Sequence, residues 1–464
     1  MTPRLSRIDT IALVVGAIIG WGSFVLPGTR FLSGSGVIDT AIGFAIGGIA
    51  VMFIQRGYHH MFERHVDHGG EAAYAARFLG RGHGFIVGWA LMLTYTSIVA
   101  LNGVAFVLVI KLVAGDAVSQ VYLYTVAGYP VYLTDIAIAS ATMVFFAWLN
   151  LRGLKVSSRT ENVLVSSLLI NVAILFVLML VLGDTDQFVA TYVDGWQINW
   201  AHVASVVAIV PFLFVGFDVI AQVARDLAYP PHRATRLAVI GIVIGCVLYA
   251  GMNTLTALAF TPAQAAEHDW ATGAAVTEYV GPVGFVLLVV ALVGAVLGGI
   301  SAFTLAASSL IASLASNRFL PLSLAHTDDR HVLNRAVLLI LGVSLIAPWA
   351  GREAVNYIVD MSSLLAAIAY AYTCFISIRI GNVTLERVYA AVGLACSVGF
   401  IALLLWPGSP GQLSGPAMGA LVVWAAMGLV VFARGRHHPD APEIGERLWV
   451  APQGASSLAA VVTE

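Results

Sequence analysis

The sequence predicts an all-α integral membrane protein with twelve transmembrane helices, the first and the sixth of them broken at glycines. Three observations lead there. The 464 residues are 59% hydrophobic and only 10% charged, with a mean hydropathy of +0.89, which leaves too little polar surface to coat a soluble domain of this size. Twelve stretches come close to or exceed the roughly 20 apolar residues that cross a bilayer. Lys and Arg fall in alternate connections: with the N-terminus inside, 20 lie on the cytoplasmic side and three, Arg30, Lys111 and Arg352, lie outside. That bias is the one expected of a multi-pass inner-membrane protein with both termini cytoplasmic.

The first span, about residues 9–32, contains Gly16-Ala17-Ile18-Ile19-Gly20-Trp21-Gly22-Ser23-Phe24. Its glycine-rich centre and the lack of a small-residue cleavage site set it apart from a signal peptide. Spans over 37–55, 84–112, 131–150 and 160–182 follow. The sixth, 203–224, is interrupted at Phe212-Leu213-Phe214-Val215-Gly216-Phe217-Asp218. The remaining spans cover 236–260, 281–314, 335–350, 355–378, 387–406 and 414–433, ahead of a Pro/Gly/Ala-rich tail from 434 to 464. The chain therefore reads as one polytopic domain. Its connections, the longest being the 2–3 loop and the tail, are too short to hold a catalytic fold, and the outer loops 183–201 and 261–280 carry acids without Lys or Arg.

Several function classes drop out. A net charge of −2 and a pI near 6.6 argue against nucleic acid as a partner, which needs a concentrated basic face. There is no G-x-x-x-x-G-K-[ST] loop, no H-E-x-x-H and no Cys/His array, so ATP-driven pumping and zinc hydrolysis lack their chemistry. No nucleophile–base constellation appears on the spans, so an enzyme with a cofactor is not expected. Cys246, Cys374 and Cys396 lie in apolar runs at unrelated spacings and read as packing residues. Glycine pairs four apart, Gly43/Gly47, Gly241/Gly245 and Gly294/Gly298, fit close helix contact.

The two breaks carry the chemistry. Hydrocarbon offers no water to unpaired backbone groups, so non-helical backbone at membrane depth survives only where it lines a cavity. In the first break the amides of Gly20, Trp21 and Gly22 open the second half-helix and suit an anion. The carbonyls of Ala17, Ile18 and Ile19 face the other way and suit an ammonium. In the sixth span Gly216 is the flexible point and the carbonyls from Phe212 to Val215 are open to an amine. Asp218 follows directly, and a carboxylate at membrane depth costs on the order of 3 kcal/mol on insertion scales. It serves as a dipole partner for the next half-helix, as a proton-sensing or amine-attracting group, or as both.

At these residues the chain resembles the amino acid–polyamine–organocation permeases. Gly16-Ala17-Ile18-Ile19-Gly20-x-Gly22-x-Phe24 looks like their first-helix motif, and further segments match in order: Gly69-Gly70-Glu71 through Gly88-Trp89, Asn150-x-x-Gly153-x-Lys155, Phe214 to Asp218, and Asn317-Arg318-Phe319-Leu320-Pro321. The resemblance implies the leucine-transporter fold. Spans one to five (about 9–182) and six to ten (about 203–378) are then inverted repeats, spans eleven and twelve (about 387–433) are peripheral, and access alternates around a midplane site. It places Ile18 and the Gly20–Gly22 amides at a substrate's amine and carboxylate, Phe212 as a lid and gate, Val215 and Gly216 beside the amine, and Tyr95 and Phe303 as aromatic walls from spans three and eight. Asn102, a polar residue near Tyr95, joins the candidates. Asn171 and Asn253 read as interhelical hydrogen-bond formers.

Departures from the family pattern narrow the expectation. Trp21 stands where many relatives have a small residue, which favours a small amino acid or a simple amine whose cation sits against the ring. Ala224-Arg225-Asp226 replaces an Ala-Glu-Glu run, and Leu168 stands where one proton-coupled branch has a lysine. Coupling is expected through a proton at Asp218, in symport or antiport, or through plain substrate exchange. A Na+ site at Ser301 and Thr304, with Ser308, is the less favoured alternative, because such hydroxyls commonly bond their own helix. Asp360 is expected to open and cap the tenth span. His59, His60, His65, His68 and His83 crowd the 2–3 loop without making a metal site the preferred reading. The expected function is thus a secondary permease for an amino acid or small organic amine, working as a monomer or homodimer in the lipid bilayer. An amine carrier with no need for a carboxylate, and a non-transporting sensor of the same fold, are the alternatives.

Overall fold

The computed structural model describes residues 4–64, 69–126, 129–268, 270–328, 332–351, 353–381 and 383–436. The tail beyond residue 436, Arg352, His65 and His68 lie outside them.

Helix α1 (Arg7–Ile18) starts at a capping box: the Ser6 hydroxyl accepts from the Asp9 amide and the Asp9 carboxylate accepts from the Ser6 amide at 2.8 Å. It stops because Ile19 leaves helical geometry, at φ −96° and ψ 84°. Helix α2 (Gly22–Leu26) resumes the span and runs into a π-helical turn, Pro27–Leu32. Helix α3 (Ile38–Arg64) extends well past the expected end of span two. The 2–3 connection, expected as a loop, holds a helix, α4 (Gly70–Leu79), whose residues Gly70 to Ala76 are all buried. Its run of small residues, Ala72, Ala73, Ala75 and Ala76, lets it enter the bundle.

Helix α5 (Arg81–Ala114) leads to two antiparallel strands, β1 (Tyr122–Val126) and β2 (Tyr129–Tyr132), with Tyr122 opposite Tyr132 and Val126 opposite Tyr129. This hairpin corrects the all-α expectation. Its tyrosines and valines favour a pleated surface, and residues 131–132, expected in span four, belong to it. Helices α6 (Leu133–Leu151) and α7 (Leu154–Leu182) follow, and then the second broken span, α8 (Trp200–Leu213) with α9 (Val219–Val223). Helix α10 (Ala234–Ala257) precedes α11 (Ala271–Ser316), which kinks at Gly281, φ 77° and ψ −160°, just before Pro282. The expected start of span eight is thus the kink. Helices α12 (Asn334–Ser344), α13 (Glu353–Ile380), α14 (Thr384–Leu405) and α15 (Gly415–Arg436) complete the chain. Asp360 sits inside α13 rather than opening it, since that helix begins at Glu353.

Among the described residues nine helices are long and apolar enough to cross a membrane. The first, sixth and ninth expected spans fall short of that length: two are broken, and the ninth is a short apolar helix over Asn334–Ala350. The core gathers around the breaks. Helix α11 packs along α7, α5 and α1, and α1 also packs on α10, with Val14, Ile18, Phe214 and Phe303 fully buried among them. Helix α15 lies outermost and shows Val422, Leu429 and Val430 on its surface, apolar side chains that suit a lipid-facing helix.

Arg81 is a buried cation at a meeting of helix ends. Arg81 donates from Nη2 to the carbonyls of Asn317 at 2.5 Å and Gly435 at 3.3 Å, and its guanidinium lies 4.1 Å from the centre of the Phe319 ring. It ties the start of α5 to the ends of α11 and α15. Arg81→Ala is expected to lower stability by about 2–3 kcal/mol, because it removes a cation–π interaction together with the hydrogen bonds of a charged donor. Thermal unfolding of the purified chain in detergent reads this as a drop of several degrees, whereas an unchanged midpoint would make the latch ornamental.

Candidate functional site

The two breaks touch. Gly216 has φ +133°, a conformation that side chains rarely adopt, and a Cβ there would stand 2.7 Å from the Ala17 Cβ and 2.8 Å from both the Ala17 carbonyl carbon and the Ile18 amide nitrogen. Glycine is thus required twice, for its backbone angle and for the close approach of α1. The contact brings the unpaired backbone of both spans to one place.

At the first break, Ser23 donates from its amide and its hydroxyl to the Gly20 carbonyl, at 3.2 and 2.8 Å, and the amides of Phe24 and Val25 donate to Trp21. The amides of Gly20, Trp21 and Gly22 donate no backbone hydrogen bond among the described residues. They are three donors in a row at the start of a half-helix, an arrangement that favours an anion. On the carbonyl side, Tyr249 of α10 donates its hydroxyl to Ile18 at 3.3 Å. Asn102 of α5 fits between Gly20 and Gly299 of α11: Cβ atoms built there would lie 3.5 Å from its Oδ1 and 2.8 Å from its Nδ2. Nδ2 donates to the Ile98 carbonyl at 2.9 Å, while Oδ1, fully buried, has no partner among the described residues. A buried acceptor of this kind is costly to leave open and suits an ammonium donor.

At the second break, Val215 donates to Phe212 at 3.1 Å and Phe217 to Phe214 at 3.4 Å, while the Val215 carbonyl accepts no backbone bond among the described residues. Asp218 is the first residue before α9, yet its side chain makes no capping bond to that helix. It turns back instead, accepting from the Gly216 amide at 2.7 Å on Oδ1 and from the Tyr95 hydroxyl at 2.6 Å on Oδ2. The Tyr95 ring in turn lies 5.7 Å from Phe303. Tyr95, Phe303 and Asp218 are wholly buried, and Phe212 and Trp21 are 8% exposed, so the site is nearly closed in this conformation.

Other residues of interest fall away from it. Thr304 and Ser308 donate their hydroxyls to Ile300 and Leu305 on their own helix, at 2.7 and 2.9 Å. Leu168 packs against Gly294, two turns along α7 from Glu161, whose carboxyl lies against Gly16 of α1. Among the histidines, His60 comes within 3.7 Å of Glu386, with Glu63 close by, while His59 and His83 pair with the hydroxyls of Thr235 and Tyr372.

Sequence reasoning assigned no role to Glu71. It is fully buried on α4 and accepts from Gln222 Nε2 of α9 at 2.7 Å. Tyr58, Phe217 and Tyr370 pack beneath the second break with ring centres 5.2 to 6.3 Å apart. The available signal was an acid directly after the Gly69-Gly70 pair, in a connection whose helix was not foreseen.

A family model described as amino acid permease matches residues 5–432. The chain belongs to the amino acid permease family. It is a multi-pass membrane protein, and its relatives are transporters rather than enzymes. It is 25% identical over 270 residues to the branched-chain amino acid permease BcaP of Bacillus subtilis, covering 54% of each chain. It is 25% identical over 273 residues to the vacuolar cationic amino acid transporter 4 of Arabidopsis thaliana, covering 54% of this chain and 42% of that one. It is also 25% identical over 265 residues to the low-affinity putrescine importer PlaP of Escherichia coli, covering 54% of each. The chain spans about half the length of the curated relatives it matches.

The Tyr95–Asp218 hydrogen bond makes a local prediction. Tyr95→Phe leaves Asp218 Oδ2 without its donor inside the bundle and is expected to destabilise by about 1–3 kcal/mol. Chemical denaturation in mixed micelles measures it, and a loss below a few tenths of a kcal/mol would mean that the carboxyl finds another partner.

Proposed function

We propose that this permease is a secondary carrier for a small amino acid, held at the contact of the two broken helices and moved by alternating access. In this reading it has twelve spans with both termini cytoplasmic, a five-plus-five inverted repeat with two peripheral helices, and a place in the inner membrane. The observation that carries the reading is the juxtaposition at Gly216: the break that carries the open amides of Gly20, Trp21 and Gly22 and the Ile18 carbonyl lies against the break that carries the Val215 carbonyl, with Asn102 Oδ1 beside Gly20. Amides take the carboxylate and acceptors take the ammonium. Relatives that include an amino acid permease, a cationic amino acid transporter and a putrescine importer support the amine as the shared element.

Coupling is assigned to a proton at Asp218. Its carboxyl touches both the backbone of the second break and the span-three tyrosine, so a change of charge there acts on the geometry of the site itself. Thr304 and Ser308, bonded within α11, give the Na+ alternative less support.

Two experiments in proteoliposomes test this. Counterflow of a labelled amino acid against its own excess is expected to saturate, and the matching decarboxylated amine is expected to move at least about tenfold more slowly, a difference of roughly 1.4 kcal/mol. Equal rates for both would remove the role given to the amides, and binding without counterflow would make the chain a sensor. In Asp218→Asn the acid-to-neutral pH dependence of uptake is expected to flatten, while an unchanged profile would leave Asp218 as a structural residue.

A further inference from the structure

Helices α3 and α14 meet at a close backbone contact. A Cβ on Gly393 of α14 would stand 2.9 Å from the Phe53 carbonyl oxygen and 3.1 Å from the Ile54 Cα. Tyr389, one turn nearer the start of α14, packs on Phe53 with ring centres 6.0 Å apart. Two turns from the glycine contact, the end of α3 and the first turn of α14 bring three ligand-type side chains together: His60, Glu63 and Glu386.

His60 and Glu63 are three residues apart on α3 and so project from one side of it, a spacing that metal sites in helical bundles use. His60 is 4% exposed, the Glu386 side chain is 34% exposed, and Glu63 is open to solvent. Donor atoms from all three lie within 4.8 Å of one another, and His60 Nδ1 stands 3.7 Å from Glu386 Oε2. That is too long for a hydrogen bond. Glu386 Oε2 is itself shielded from solvent and takes no hydrogen bond among the described residues.

The neighbouring side chains have other contacts. Arg56, one turn before His60, lies over the Tyr389 ring at 5.9 Å, and Arg387 donates from Nε to the Gly381 carbonyl at 2.6 Å. His59 turns toward α10, its Nδ1 3.0 Å from the Thr235 hydroxyl. Two carboxylates thus converge on one imidazole, and even a charged imidazole would leave the three with a net negative charge. A carboxylate in the first turn of α14 is explained by the helix dipole. Its convergence with His60 and Glu63 is not.

The donor set selects among cations. Ligands about 2.1 Å from a Zn2+ ion sit about 3.4 Å apart around a tetrahedron, so a small turn at Glu386 and a swing of the exposed Glu63 complete three ligands. An imidazole nitrogen among carboxylates suits zinc and similar first-row ions. Ca2+ asks for about six to eight oxygens, and Mg2+ for a near-ideal octahedron.

We infer that His60, Glu63 and Glu386 form a binding site for a divalent transition-metal ion of the zinc type, which pins the start of α14 to the end of α3 and leaves its fourth position to water. Helix α3 also lies along α8, where a Cβ on Gly43 would stand 2.7 Å from the Val206 Cβ and one on Gly47 would overlap the Val210 side chain. An ion at the end of α3 therefore steadies the helix that backs the second break. The site does not depend on which solute is carried.

Isothermal titration calorimetry tests the site on the full chain, prepared without a polyhistidine tag, freed of metal with a chelator and held in detergent micelles. The probe is Zn2+ alone. The wild type is expected to bind one equivalent saturably and to keep it in a large excess of Mg2+. Glu386→Gln, Glu63→Gln and His60→Gln are each expected to weaken that binding at least about tenfold, whereas His83→Gln, away from the three ligands, is expected to retain it. The two glutamate variants carry the test on their own if the buried histidine does not tolerate replacement. No saturable binding in the wild type, displacement by Mg2+, an unchanged affinity in Glu386→Gln, or an equal loss in His83→Gln would each overturn the proposal. None of these outcomes bears on counterflow, so the carrier reading stands or falls separately.

Discussion

The contact between Gly216 and the Ala17–Ile18 backbone is the constraint on which the rest of the molecule depends. Hydrocarbon punishes unpaired amides and carbonyls, so a break in a membrane helix is tolerable only where something polar answers it. This chain places two such breaks against each other and surrounds them with buried walls from α5, α10 and α11. A side chain at residue 216 would separate them. Tyr249 on Ile18, Asn102 beside Gly20 and Asp218 on the Gly216 amide all take their positions from that approach.

A second theme is the number of acids kept inside an apolar bundle. Asp218, Glu71 and Glu161 are each at most 2% exposed. Two are held by donors, Tyr95 and the Gly216 amide for Asp218 and Gln222 for Glu71. Glu161 has the Ser301 hydroxyl beside it and fits because Gly16 and Gly298 lack side chains. All three lie close to the broken backbone, and structure alone rarely retains carboxyls at such depth. Their charge states and the packing of α1, α7, α9 and α11 are one problem, because a carboxylic acid that loses its proton has to be rehydrated or paired, and either requires the helices to move.

Much of this was legible in the residues. Glycine-bracketed breaks are local features, and Gly16 to Phe24 and Phe212 to Asp218 announce themselves without any partner. Tyr95 was legible as a span-three candidate through the resemblance to the permeases, and Asn102 through its closeness to Tyr95 in the sequence. What escaped was what only folding brings together. Tyr95 meets Asp218 across 123 positions, and Gln222 meets Glu71 across 151. Glu161 drew no assignment from the sequence, because the two glycines it packs against lie on other helices. The hairpin at 122–132 and helix α4 were missed for a related reason: short segments of mixed polarity between long apolar runs are decided by what they pack against. Asp360 was misplaced because a helix start was read from the hydrophobic edge of the span, and the helix extends beyond it.

Recognition at the contact of the broken helices is tested most directly by binding of an amino-acid panel to the purified wild type and to Gly216→Ala, followed as a thermal shift in detergent. At least one amino acid is expected to stabilise the wild type and none the variant, because a methyl at residue 216 pushes the two breaks apart. A wild type indifferent to the whole panel, or a variant stabilised as strongly as the wild type, would contradict this and place recognition elsewhere in the bundle.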